Sequence, residues 1–138
     1  LLGTSTLSFY AAPALAKKLK RRFPQSLDGV PMLLPLANSV PRRALDTWFA
    51  GLGFAPRIAG EFQDSALMKV FGQAGAGVFA APTAVEADVK ARYAVMPLGE
   101  VAELTETYYA ITPERRIKNP AVVQLREQAR RTLFGHSA

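Results

Sequence analysis

The chain has 138 residues, 49% apolar and 20% charged, with a net charge of +6; that is the make-up of one globular domain with room for a real core. It has no cysteine, which excludes disulfides, thiolate metal sites and a cysteine nucleophile, and its one histidine, His136, lies close to the C-terminus, which argues against histidine-based metal or triad chemistry. No apolar run is long enough to span a bilayer, and the start Leu1-Leu2-Gly3, without methionine or a signal-peptide pattern, reads as a fragment or a processed piece.

In chain order, Thr6 to Ala12 reads as a strand. Pro13 then opens a basic amphipathic helix that ends before Pro24. Leu15, Leu19 and Phe23 share its apolar face, and Lys17, Lys18, Lys20, Arg21 and Arg22 take the rest. Those cations read as a solvated outer face or as a phosphate-binding surface. Met32 to Leu34 is a short uncharged strand ended by Pro35, and Asn38 or Ser39 can cap the next helix, with Pro41 in its first turn. Ala44, Leu45, Trp48, Phe49 and Leu52 form that helix's apolar face, Trp48 reading as core, and Gly53 lies where it should stop. Residues 56–62 read as a weaker strand around Gly60.

The segment from Asp64 to Pro82 is the most informative stretch. Asp64 is placed to cap a helix whose apolar face is predicted as Leu67, Val70, Phe71 and Ala74. Gly75 or Gly77 can end that helix, and glycine also allows close backbone approach. Val78 to Ala81, uncharged, reads as a buried strand closed by Pro82. Thr83 and Glu86 match a capping box, so a helix is expected to begin there. Ala94 to Met96 reads as a further strand ended by Pro97, and Leu104 to Thr112 as a longer, separate one. Pro113 to Arg116 is a turn; Asn119 caps a last helix striped by Leu125, Ala129 and Leu133 and ended by Gly135. This alternation predicts an α/β fold with a mostly parallel, mixed sheet and helices on both faces.

The order and spacing of these landmarks resemble the effector-binding domain of LysR-type transcriptional regulators. The resemblance is carried by Leu7 to Ala16, by Leu27-Asp28 ahead of Gly29 to Leu34 (inverted from the family's Asp-Leu), by Gly75-Ala76-Gly77-Val78 through Pro82, and by Thr107 to Thr112 with Asn119 to Val123. Gly72 departs from the family's aliphatic residue at that place. Phe9 to Lys20, Ser26 to Pro35, Gly60 to Leu67, Phe71 to Gly77 and Glu114 to Arg116 also look like the sodium-responsive branch that activates a sodium/proton antiporter gene.

The resemblance implies a periplasmic-binding-protein type II-like fold. The chain, 1–138, would be one complete lobe (13–104), two hinge strands (5–12 and 105–112) and the C-terminal helix of the other lobe (119–134), with the helix-turn-helix that binds DNA absent. It implies a cytoplasmic protein with a small-molecule or ion effector, no cofactor and no membrane. It also implies a homo-oligomer whose antiparallel contacts would use Val40 to Leu52 and Arg57 to Phe62. The implied effector-binding residues are Asn38, Ser39, Gln63, Asp64, Ser65, Phe79 and Ala80; for a hard cation, oxygen ligands including Glu61 and Asp64. Asn38, Ser39, Asp64 and Ser65 can equally serve only as helix caps. No spacing of carboxylates, lysines or tyrosines forms a recognisable catalytic set, so no catalytic residue and no enzyme is expected. The other reading is a solute-binding protein of a transporter, which shares the fold.

Overall fold

The computed structural model describes residues 2–109 and 120–134. Five strands and five α-helices follow in the order β1 (Gly3–Ala11), α1 (Pro13–Leu19), β2 (Pro31–Pro35), α2 (Val40–Leu52), β3 (Arg57–Phe62), α3 (Ser65–Gln73), β4 (Phe79–Pro82), α4 (Glu86–Tyr93), β5 (Met96–Tyr108) and α5 (Pro120–Phe134). Short 3-10 turns extend α1 at Lys20–Arg22 and precede α4 at Thr83–Val85.

β1 is the centre of a three-stranded antiparallel sheet, β4-β1-β5, and β2 pairs in parallel with β3. Val78 joins the two: its carbonyl accepts from the Leu33 amide at 2.8 Å, and its amide donates to the Pro31 carbonyl at 2.9 Å. That junction requires Gly77, because a Cβ there would meet the Pro31 carbonyl oxygen at 2.7 Å. Gly75, at φ +86°, supplies the left-handed turn that ends α3. Parallel pairing is thus confined to β2, β3 and the Val78 bridge, while β1 runs antiparallel to both neighbours.

Strand alternation divides the core between two faces. Leu7, Phe9 and Ala11 face α1 and α2 with Met32, Leu34, Leu45, Phe49 and Leu98; Tyr10, Leu33, Phe79 and Val95 face α3 and α4 with Met68 and Val89. Phe9 stacks on Trp48 at 5.4 Å, and Tyr10 on Phe79 at 5.6 Å. Phe9, Tyr10 and Phe79, each fully buried, contribute roughly 1.5–3 kcal/mol apiece. On α2 the inward residues are Leu45 and Phe49 with half-buried Trp48, whereas Ala44 and Leu52 are exposed. The cap is Ser39, whose hydroxyl accepts from the Arg42 amide.

Three further sequence expectations are corrected. Leu67, Val70 and Phe71 are about half exposed and Ala74 is exposed; α3 instead buries Met68 and Gly72. The helix is rotated because the Phe79 ring fills the space a side chain on Gly72 would need. The capping box at Thr83 does not form: the Thr83 hydroxyl lies 2.8 Å from that of Thr6 and 2.7 Å from that of Ser8, and α4 begins only at Glu86 with no side-chain cap. The segments on either side of Pro97 are one strand, β5, with Pro97 opposite Tyr10 at a break in register. A second break makes Val101 face Leu7 and Thr105 face Thr6, so residues 102–104 bulge from the ladder. The apolar stripe expected on the last helix lies on α5, where Leu125 is 67% exposed. The expected strand end at 110–112, the turn at 113–116, Asn119 and Gly135 lie outside the described residues.

The Gly72→Ala variant is expected to lose about 1–3 kcal/mol, because its new methyl must displace a fully buried ring. Gly51→Ala, with open space around the added Cβ inside α2, is expected to gain about 0.5–1 kcal/mol; urea unfolding reads both. Burial, then the charge of Glu86, pushes the Tyr10 hydroxyl above the ordinary phenol value. A tyrosine that titrates higher when folded stabilises fully below pH about 10 and loses that stability as pH rises beyond it. The Tyr10 hydroxyl makes no hydrogen bond with the described residues. Tyr10→Phe is therefore expected to be neutral or stabilising at pH 7 and to flatten the alkaline fall of the melting temperature.

Candidate functional site

The C-terminal ends of β2 and β3 open into a cavity of about 450 Å³. In α/β sheets this is the end where ligands collect, because the following helices begin there and present free backbone N–H groups. Pro35 and Leu36 from β2, Asn38, Ser39 and Pro41 from the start of α2, Phe62 and Gln63 from the end of β3, and Ser65, Met68 and Lys69 from α3 form three walls. Ala80, Ala81 and Pro82 of β4 and Val85 close the floor, and Glu106 and Tyr108 of β5 form the remaining side.

Five of the sequence-predicted residues line this cavity: Asn38, Ser39, Gln63, Ser65 and Ala80. Ser39 works as a cap, donating to the Leu36 carbonyl at 2.8 Å and accepting from the Arg42 amide at 3.3 Å. Asp64 is outside the lining; its carboxylate accepts from the Ala66 amide at 2.8 Å and caps α3. Phe79 is fully buried in the core against Tyr10. Glu61 is held by Arg42, whose guanidinium is buried and donates at 2.6 Å to Glu61, at 3.0 Å to Asp46 and at 3.0 Å to the Pro35 carbonyl. This one cation ties α2 to the ends of β2 and β3, and so fixes the cavity mouth. Among the described residues no three acidic or histidine side chains gather as a metal cage.

The sequence reading missed Lys69, Glu106 and Tyr108. Lys69 follows Ser65 by one helical turn, so it shares the cavity-facing side of α3, and its ammonium lies 5.9 Å from the Tyr93 ring centre. Glu106 and Tyr108 alternate on β5, which places both on one face, and the Tyr108 hydroxyl donates to Glu106 at 2.5 Å. Burial, then that bond to Glu106, raises the Tyr108 hydroxyl above the ordinary phenol value. The cavity therefore offers one ammonium, one carboxylate already bonded to a phenol, small hydroxyl and amide groups, two helix starts and an apolar floor. That set has the chemistry to hold and orient a small polar molecule.

Comparison with known proteins agrees with this geometry. The family described as LysR substrate binding domain matches residues 1–133. The transcriptional activator protein NhaR of Escherichia coli K12 is 37% identical over 124 residues, covering 90% of this chain; the NhaR of Shigella flexneri is equally similar. The chain spans 40% of the length of these relatives. The effector domain of the transcriptional regulator AmpR of Pseudomonas aeruginosa superposes with a TM-score of 0.61 at 22% identity, over 96% of this chain and 63% of that one. The effector binding domain of QuiR, in complex with shikimate, gives 0.58 at 17% identity, over 98% and 64%. These likenesses give the fold, a periplasmic-binding-protein type II-like α/β arrangement. Its residues from Leu1 to Leu133 make this chain a member of the LysR substrate-binding domain family.

Proposed function

We propose that the chain is the effector-sensing part of a LysR-type transcriptional activator, and that its cavity takes a small molecule or ion whose binding changes how the regulator engages DNA. The observation that carries this reading is the cavity at the ends of β2 and β3, walled on one side by β5, in a chain of this family. We assign the lobe to residues 13–104, the hinge to 5–12 and 105–112, and 119–134 to the helix of the other lobe. The paired stretches Gly3–Thr6 and Thr105–Tyr108 support the hinge assignment, and the exposed stripe of α5 supports its covering by the rest of the protein.

Effector contacts are assigned to Asn38, Ser39, Gln63, Ser65 and Ala80, with Lys69 added as the anion partner. Relatives named as an activator favour a regulator over a transporter's solute-binding protein. On the same 37% identity we extend the reading to control of a sodium/proton antiporter gene in response to sodium, in the cytoplasm; no helix of the described residues is long and apolar enough to cross a membrane. Oligomers would use α2 and β3, and β3 presents mostly exposed residues for it.

Titration of the full-length protein with sodium and lithium salts and with small carboxylates tests the proposal, each with a parallel measurement of promoter-DNA affinity. At least one of them is expected to bind and to shift that affinity. For a carboxylate effector, Lys69→Met is expected to weaken binding about tenfold or more; for a cation effector, it should leave binding unchanged. No binding by any of them, with DNA affinity constant, contradicts the proposal.

A further inference from the structure

The turn that closes α1 carries Lys17, Lys18, Lys20, Arg21 and Arg22, all exposed. None of their side chains forms an ion pair or a hydrogen bond with the described residues, although Arg42, Arg92 and Arg126 each sit beside an acid. The next acidic residue along the chain, Asp28, is engaged by the Ala55 amide at 2.9 Å. The cluster works against the local fold. Lys17, Lys18, Lys20, Arg21 and Arg22 crowd like charges where α1 passes into the 3-10 turn, and their mutual repulsion is unfavourable. The helix dipole compensates for cations in the last turn of α1, Lys17 and Lys18, but Lys20, Arg21 and Arg22 lie beyond its end in the 3-10 turn. A strip of this kind is held together more favourably by an external line of negative charge.

The rest of the surface narrows what that partner is. The apolar residues of the same segment, Leu15, Leu19 and Phe23, are turned inward and pack against the first core cluster. The strip therefore offers no apolar anchor of the kind that forms the centre of a protein–protein interface. Nor does it have a free apolar face to sink into a lipid surface. What remains is a row of long flexible cations without a fixed side-chain partner among the described residues, and that matches phosphodiester contacts, which position a protein on nucleic acid without reading its sequence.

We propose that Lys17, Lys18, Lys20, Arg21 and Arg22 form a secondary strip that contacts the phosphate backbone of duplex DNA, outside the reading of any base sequence. The strip rests on the regulator function proposed above, and it adds affinity to whatever site the full-length protein recognises.

The test compares the full-length protein with its Lys20→Ala/Arg21→Ala/Arg22→Ala variant, measuring promoter-duplex affinity across a salt series. Each lost phosphate contact reduces the log–log salt slope by about 0.9, so the triple variant is expected to lose roughly 2–3 in slope. A control with Lys90→Ala/Arg92→Ala on α4 is expected to keep the wild-type slope. Removing like charges should leave the melting temperature of the triple variant equal to or above that of the wild type, which separates lost contacts from lost folding. A triple variant with the wild-type slope overturns the strip while leaving the regulator reading in place. The same slope with impaired transcription would assign the strip to an acidic protein, and also overturns the proposal. A wild type that binds no duplex removes the regulator reading and the strip together.

Discussion

The antiparallel pairing of β1 with β5 is the constraint on which the rest of this structure depends. Gly3 to Thr6 lie against Thr105 to Tyr108, and Leu7 to Ala11 against Val101 to Met96. The two stretches are separated by the bulge at residues 102–104, which lets one long strand serve two purposes. On one side of the bulge β5 completes the core around Phe9 and Tyr10. On the other it projects Glu106 and Tyr108 into the cavity. On the proposed reading, a change in how the paired ends sit would move the cavity wall, and a ligand in the cavity would act on the paired ends by the same contacts. On the reading of these ends as hinge strands, that is the physical basis of a population shift.

The two faces of β1 divide the work of holding this arrangement. Phe9, under α1 and α2, gathers Phe23, Trp48 and Phe49 at ring distances of 5.8, 5.4 and 6.3 Å. Tyr10, on the other face, stacks on Phe79 beneath α3, where Gly72 makes room for it. Between these layers the cavity mouth is fixed by a single buried cation. Arg42 bonds two acids and a carbonyl from three elements, and its bonds to Glu61 and Asp46 raise its already high basicity against the opposing effect of burial. Because Glu61 is spent on this clamp, its carboxylate shapes the site from behind.

Much of the fold was legible because local signals and tertiary packing agreed. Ser39, Pro41, Leu45, Phe49 and Gly53 mark α2 by cap, first turn, apolar spacing and stop, and the structure uses each in that role, Gly53 at φ +72°. Gly75 and Gly77 are both needed, one for its left-handed φ and the other for close approach to Pro31. The misreadings arise where a distant contact overrides a local pattern. The apolar spacing of Leu67, Val70 and Phe71 is a valid helical face, but the fit of Phe79 against Gly72 turns it outward. Thr83 is a good cap residue by type, and the hydroxyls of Thr6 and Ser8 claim it instead. Pro97 ends strands as a rule, yet here it sits at a break in register where the ladder is already irregular. For the cavity, the helix starts and strand ends pointed to Asn38, Ser39, Gln63 and Ser65. Helical spacing puts Lys69 on the face of Ser65 and strand alternation puts Tyr108 on that of Glu106, but that these faces meet the cavity depends on the orientation of α3 and the path of β5.

The most direct test of this account is the set of cross-strand nuclear Overhauser contacts in the isotopically labelled protein between Gly3–Thr6 and Thr105–Tyr108. The account predicts contacts in the antiparallel order of Gly3 with Tyr108 through Thr6 with Thr105, then a jump to Leu7 with Val101. Their absence, or a register that runs without the jump, would detach the cavity wall from the paired strands and contradict the account.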